Sequence, residues 1–279
     1  MPKAILKDSL AKLLGASGES DADPTMKIDR EKVEKCLADL IIEGQIFYFP
    51  TYPGQPYMLR ENYFIEKTIA KNLRKLIDSQ PKIEVDIEYL IRRFEKENNI
   101  TLHENQKKAV QTAIESGICI ITGGPGVGKT TIIKCIISIL QNLNASIALA
   151  APTGRAAKRM EEATGMPAKT IHRMLEYKGG EGDGGYFSRD ESNRLEEDTF
   201  IIDEMSMTDE NIFNALLKAI MPGSRLILVG DKDQLQSVGT GNVLGDLIES
   251  NEIDIAYLTH IYRQSGGNKI AENAQLINN

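Results

Sequence analysis

One short stretch constrains this chain more than any other: "IITGGPGVGKTTIIKCIISIL", residues 120–140. An apolar run ends in glycines, and a helix-forming run begins directly behind them. Within it, "GGPGVGKT" (123–130) fits G-x-x-x-x-G-K-[ST], with Gly123, Gly128, Lys129 and Thr130 at the fixed positions. Glycines here let backbone N–H groups turn inward around a phosphate, and the following helix adds the positive end of its dipole. Lys129 is placed to reach the β- and γ-phosphates of a nucleotide, and the Thr130 hydroxyl to hold Mg²⁺. The expected cradle is Gly123, Gly124, Pro125, Gly126, Val127, Gly128, Lys129, Thr130 and Thr131. A strand–loop–helix unit of this kind belongs to an α/β fold, a parallel sheet flanked by helices.

The rest of the chain agrees from about residue 99 onward. The apolar runs "GICIITG", "SIALAAP", "TFIIDE", "RLILVGD" and "IAYLTH" alternate with helical patterns. Near-continuous apolar runs suit strands buried on both faces of a parallel sheet. Each ends in Gly, Pro, a polar residue or an acid, and such sheets bind ligands at the carboxyl ends of their strands.

The first hundred residues read differently. In "AILKDSLAKLL", Ile5, Leu6, Leu10, Leu13 and Leu14 fall on one helical face. A second helix, capped by Asp29, carries the stripe Val33, Leu37, Leu40 and Ile41 and closes at Gly44. "QIFYF", "PTYPGQP" and "YMLR" then read as a β-hairpin. Helix, helix, hairpin outlines a small winged-helix-like α+β domain over residues 1–62. A packing domain without nucleic-acid contact fits the same outline, because the second helix carries as many acids as bases. Residues 63–98 read as connecting helices, which leaves 99–279 for the parallel-sheet domain.

Composition narrows the class. The 279 residues carry a net charge of −7, so a uniformly basic surface is excluded and only a local basic groove is open. The three cysteines, Cys36, Cys119 and Cys135, form no CxxC and read as reduced core thiols of a cytoplasmic protein. No apolar run approaches the roughly 18–20 residues that span a bilayer, so no membrane partner is expected.

A phosphate loop alone names no reaction. "TFIIDEM" (199–205) narrows the choice to hydrolysis. Asp203, at a strand end, would hold Mg²⁺ through water, and Glu204 would orient the attacking water as general base. No "NKxD" guanine signature occurs, which favours ATP. In "APTGRAAKRM" (151–160), Arg155, Lys158 and Arg159 share one helix face, and Thr153 adds a neutral donor. This face suits a nucleic-acid backbone; a solvated surface is the alternative. In "LVGDKDQLQSVGTGNVL" (228–244), Asp231 and Gln234 lie just beyond a strand end, placed to sense the γ-phosphate.

The ordered set "TLHENQKKAV", "GGPGVGKTT", "APTGRAAKRM", "KTIHRML", "IIDEMSM", "VGDKDQLQSVGTGNVL" and "LTHIYRQ" resembles the motor core of the RecD-like superfamily 1 DNA helicases over about residues 99–279. The resemblance implies a RecA-like sheet, ATP and Mg²⁺ as cofactors, and 5′→3′ movement on single-stranded or tailed duplex DNA in recombination or repair. It implies that Gln106 reads the adenine edge and that Gln234 links nucleotide state to DNA grip. It gives Arg263 an approach to the γ-phosphate. It places Thr153 and Arg155 in the first single-strand-binding motif and His172 in a second candidate DNA contact, with a ring packed beneath the sheet as the alternative.

Residues 176–198 lie where the family inserts a small β-hairpin, although their glycines suit a mobile loop equally well. The family also uses a second RecA-like domain. Only one phosphate-loop sheet fits this length, so the expectation is an incomplete motor whose partner domain, and any nuclease-complex subunits, lie elsewhere. An ATPase that moves no DNA, a DNA-binding adaptor and the motor of a conjugative relaxase remain alternatives at this point.

Overall fold

The computed structural model describes residues 30–79, 85–179, 185–234 and 237–260. The expected helix around Ile5–Leu14 lies outside them, as does Asp29. The chain divides into two compact units at Thr68/Ile69, inside a helix.

In the first unit, helix α1 (Arg30–Ile42) leads to strands β1 (Ile46–Tyr48) and β2 (Tyr57–Leu59), which form an antiparallel hairpin with Ile46 opposite Leu59. Gly44 closes α1 at φ +68°, as the glycine after the stripe predicts. Leu37 and Ile46 are buried, and Phe47 packs against Tyr63 with ring centroids 4.4 Å apart. Tyr63 lies on helix α2 (Arg60–Asp78), which begins in this unit and ends in the next.

The second unit holds α3 (Ile87–Asn98), α4 (Glu104–Glu115), β3 (Ile118–Gly123), α5 (Lys129–Asn142), β4 (Ile147–Ala151), α6 (Gly154–Thr164), β5 (Ala168–Thr170) and α7 (Ile171–Met174). A short hairpin, β6 (Tyr177–Lys178) and β7 (Tyr186–Phe187), follows. Then come β8 (Thr199–Ile202), a 3₁₀ turn (Met205–Met207), α8 (Glu210–Ala219), β9 (Arg225–Gly230), α9 (Val243–Ser250) and β10 (Asp254–Leu258).

Six strands form one sheet in the order β10-β3-β9-β8-β4-β5, and every neighbouring pair is parallel. Cys119 and Ile121 of β3, Ile201 of β8, and Ile227 and Val229 of β9 point to one face. There they meet Ile91 and Phe94 of α3, Val110 and Ile114 of α4, and Ile132, Ile136 and Leu140 of α5. The alternate residues Ile120, Phe200, Ile202, Leu226 and Leu228 are fully buried as well, so both faces are covered.

Two details differ from the sequence expectation. Helix α3, read as a connector, supplies Ile87, Ile91 and Phe94 to the main core. Cys36 is exposed, so only Cys119 and Cys135 are core thiols, and burial pushes each to about 12. At the amphipathic helix α1, the exposed side accepts a small thiol as readily as the core does.

Strand order sets the site. β9 lies between β3, which carries the phosphate loop, and β8, which carries the acid pair. Two inter-strand spacings separate β3 and β8 by about 10 Å. The carboxyl ends of all three strands open on the same edge.

Candidate nucleotide and nucleic-acid site

The phosphate loop spans Gly124–Gly128, between the end of β3 and the start of α5. Gly126 and Gly128 hold φ +85° and +87°, the left-handed region that costs glycine little. Gly123 is required for another reason: a Cβ there would stand 2.6 Å from the Leu258 carbonyl oxygen of β10. Val127 is buried and anchors the loop, whereas Pro125 and Thr130 are exposed. The Lys129 ammonium donates to the Gly123 carbonyl at 2.5 Å, which curls it back over the loop.

Gln106 lies beneath this loop and is 4% exposed. Its Oε1 accepts from the His103 N–H at 3.0 Å, closing a capping box at the start of α4. Its Nε2 donates to the Val127 carbonyl at 3.1 Å. The first turn of α4 is thereby tied to the phosphate loop. His103 also stacks on His260 at 4.6 Å, and Asn105 donates to Thr259 at 3.1 Å, joining α4 to the end of β10.

The acids stand two strands away. The Asp203 N–H donates to the Ala150 carbonyl, extending the β8–β4 ladder by one bond. Its half-buried carboxyl accepts the Glu204 N–H at 2.8 Å. Burial pushes this carboxyl above its ordinary value and the neighbouring Glu204 carboxylate adds to the effect, while the Glu204 N–H and the Lys129 ammonium oppose it. Lys129 therefore acts on Asp203 across β9.

Glu204 has φ +56° and ψ +40°, a left-handed conformation that a residue with a side chain adopts only when its surroundings impose it. Between the two, Asp231 directly follows β9, is 5% exposed and accepts the Asp233 N–H at 3.1 Å. The Lys232 N–H reaches Thr122 Oγ1 of β3 at 3.3 Å. Gln234 is exposed, and its N–H donates to the Asp231 carbonyl at 3.2 Å.

A cation such as Mg²⁺ fits this donor set. It usually takes one or two protein oxygens and completes its shell with water and phosphate. Asp203 is a half-buried acid whose carboxyl is pushed above its ordinary value, and Thr130 is exposed at the start of α5. A nucleotide phosphate fits the loop amides, the α5 N-terminus and Lys129.

The residues expected to meet a nucleic acid divide. Thr153 is the N-cap of α6, its Oγ1 accepting the Ala156 N–H at 3.2 Å. Arg155, Lys158 and Arg159 are all exposed on α6, while Ala157 and Met160 form its buried side. Lys158 lies 3.9 Å from Glu162, so Arg155 and Arg159 carry more of this face's positive charge. Since Thr153 follows β4, the basic helix starts at the same carboxyl edge as the phosphate loop.

His172 on α7 is half-buried. Its ring meets Tyr177 edge-on at 5.6 Å and Phe187 at 5.8 Å, so it packs on the β6–β7 hairpin rather than beneath the sheet. Arg189 anchors the hairpin base, donating to Glu176 at 2.8 Å and to the Arg194 carbonyl at 3.2 Å. Arg263 lies outside the described residues.

Sequence reasoning missed three features: the Gln106–Val127 bond, the left-handed Glu204 and the buried Glu210. Only the first left a trace, since the pair His103 and Gln106 has the spacing of a capping box.

The family described as "AAA domain" matches residues 106–240, the segment from Gln106 through the glycine-rich run after β9. The RecBCD enzyme subunit RecD of Mycolicibacterium smegmatis is 40% identical over 170 residues, covering 52% of this chain and 30% of that protein. The ATP-dependent RecD2 DNA helicase of Deinococcus radiodurans is 34% identical over 235 residues, covering 83% of this chain and 30% of that protein. Among solved structures, the Pif1 helicase from Candida albicans is similar with a TM-score of 0.45 at 24% identity, covering 62% of this chain and 43% of that one. The chain thus spans about a third of the length of the relatives it matches.

Proposed function

This chain belongs to the RecD-like superfamily 1 helicases, and from that premise we propose that it forms the ATP-binding part of a DNA helicase or translocase motor. The observation that carries the reading is convergence on one sheet edge. The phosphate loop, Asp203–Glu204, Asp231 and the start of the basic helix α6 all stand at carboxyl ends of parallel strands. Nucleotide chemistry and a nucleic-acid backbone contact thereby share one rigid platform.

Lys129 and the loop amides hold the nucleotide phosphates, and Thr130 and Asp203 hold Mg²⁺, which supplies charge stabilisation to the transferring phosphoryl group. Glu204 accepts the proton of the attacking water. Asp231 and Gln234, on the loop after β9, respond to the γ-phosphate. Gln106 contacts the adenine edge through the N–H that its loop bond leaves over. Arg155, Arg159 and Thr153 contact the backbone of single-stranded DNA, and His172 contacts it through the hairpin. Movement in the 5′→3′ direction, a role in recombination or repair, association with nuclease-complex subunits and a cytoplasmic location complete the reading and rest on the family.

The test uses the purified chain. A fluorescent ATP analogue should bind in the presence of Mg²⁺, and Lys129→Ala should weaken binding about 100-fold or more. A single-stranded oligonucleotide should bind with a salt-dependent affinity. Reversing Arg155 and Arg159 to Glu should lower the salt slope by about 1–2, as two fewer phosphates are neutralised. An unchanged slope returns α6 to a solvated surface. Comparing 5′- and 3′-tailed duplexes tests polarity.

A further inference from the structure

Residues 237–242, part of the run between β9 and α9, lie on the start of α8. The Glu210 N–H donates to the Thr240 carbonyl at 3.0 Å. A Cβ on Gly239 would stand 2.6 Å from the Asp209 Cβ. Gly241 holds φ +87°, and a Cβ there would stand 3.1 Å from Glu210 Oε2. Gly239 is thus required by its contact with Asp209, and Gly241 by its left-handed backbone close against Glu210.

Asp209 is accounted for, since it caps α8 by accepting the Ile212 N–H at 2.9 Å. Glu210 is not. It is 2% exposed, and its Oε1 has no hydrogen-bond partner among the described residues. The helix dipole favours an acid in a first turn but does not call for burial. Thr208 Oγ1 and Ser206 Oγ, just before it, are buried and likewise have no partner among the described residues. Unpaired buried acceptors are costly, and they persist where a structure has a second arrangement or takes in water.

The same residues descend directly from the acid pair. Glu204, in its left-handed conformation, opens the 3₁₀ turn Met205–Met207, and the Thr208 N–H donates back to the Met205 carbonyl at 3.0 Å. The end of β9 touches that turn, since a Cβ on Gly230 would lie 3.4 Å from the Met205 nitrogen. A shift of Glu204 therefore has a short, closely packed path to Glu210 and on to the loop it holds.

We propose that Glu210 is a positioning residue, whose buried carboxyl seats the Gly239–Gly241 segment and moves that seat when Glu204 engages a nucleotide. The nucleotide state thereby reaches the loop that bears Gln234. The inference rests on the nucleotide site proposed above and adds the residue through which that site acts on the loop.

Hydrogen exchange at residues 237–242 of the chain, with and without Mg·ATP, tests it beside a direct nucleotide titration. In the wild-type chain, Mg·ATP should change exchange there about 5-fold or more, the low end of ordinary coupling. Glu210→Gln keeps the shape and removes the charge. It should bind nucleotide as the wild type does, and the response at 237–242 should fall below about twofold while the response at 204–207 persists. Gly241→Ala displaces the segment and leaves the carboxyl in place, so it should have the same effect whether or not Glu210→Gln folds. The double variant should lose nothing further, because both act through one contact. A full response in either single variant overturns the proposal, as does a wild-type chain that binds nucleotide without a response at 237–242. A chain that fails the titration itself overturns the nucleotide site instead.

Discussion

Asp198 and Asp203 flank the same four-residue strand, β8, and the two carboxyls are held in opposite ways. Asp198, at the amino edge of the sheet, accepts the Ser146 hydroxyl at 2.7 Å and the Ser146 N–H at 2.8 Å. Those bonds hold it below the usual carboxylate range, the hydroxyl first. Asp203, at the carboxyl edge, is pushed above that range by burial.

The contrast extends along both edges. At the amino edge, the Arg225 guanidinium is buried and donates to the Ile114 carbonyl at 3.0 Å and the Ser116 carbonyl at 3.3 Å. Ser116 in turn donates to Asp254 at 2.6 Å. The charged groups that meet there are paired, although the buried Thr199 Oγ1 beside them has no hydrogen-bond partner among the described residues. At the carboxyl edge stand a strained Glu204, an underneutralised Asp203 and the unpaired Glu210. The amino edge holds its charged groups in hydrogen bonds, whereas the carboxyl edge carries a raised Asp203 beside a strained Glu204.

Changes at the carboxyl edge should therefore cost activity and spare the fold, and changes at the amino edge should do the reverse. The largest effect is expected from Glu204→Gln. Hydrolysis should fall about 10²–10⁴-fold, the usual share of a general base. Nucleotide affinity and the unfolding midpoint should hold, and near-normal turnover in a phosphate-release assay would show that the base is elsewhere.

Next comes Arg225→Met at the opposite edge. It leaves two carbonyls without a charged donor and should cost about 2–4 kcal/mol in chemical denaturation. Nucleotide affinity should not move. A matching loss of affinity would break the separation between edges.

Asp203→Asn should act in the other direction, stabilising the chain by about 0.5–2 kcal/mol at neutral pH while weakening Mg²⁺-dependent nucleotide binding. The sign follows from its raised folded value. The folded state holds the proton more tightly than the unfolded state, so stability falls as pH rises from the ordinary carboxylate value through the raised one. The Asn variant should lose that slope, and unfolding curves between about pH 4 and 7 would show it.

Ser146→Ala should give the smallest change, less than about 1 kcal/mol, because Asp198 is exposed. Its slope has the opposite sign: Asp198 stabilises above the ordinary carboxylate value, and that contribution is lost as pH falls through its lowered folded value.

Much of this was legible in the chain itself. The phosphate loop, the strands that end at Gly123 and just before Asp203 and Asp231, and the hairpin before α2 follow from local pattern. Strand β5 was not legible. It is three residues long, its central Lys169 is exposed, and only pairing with β4 makes it a strand. Helix α3 read as a connector because its apolar stripe does not say which core it enters. His172 was ambiguous because its neighbours, Tyr177 and Phe187, lie on two strands of a hairpin that must close before the ring has a surface to meet.

The sequence by itself determined which groups are the candidates for the chemistry, because backbone amides at a glycine-rich turn and acids at strand ends are local arrangements. Only the tertiary structure decided how those groups behave. The strand inserted between β3 and β8 sets the distance from Lys129 to Asp203, and burial raises one aspartate while a serine lowers the other. Packing around the 3₁₀ turn forces Glu204 into a left-handed backbone. Each of these depends on which distant segments come together, and no local pattern carries that information.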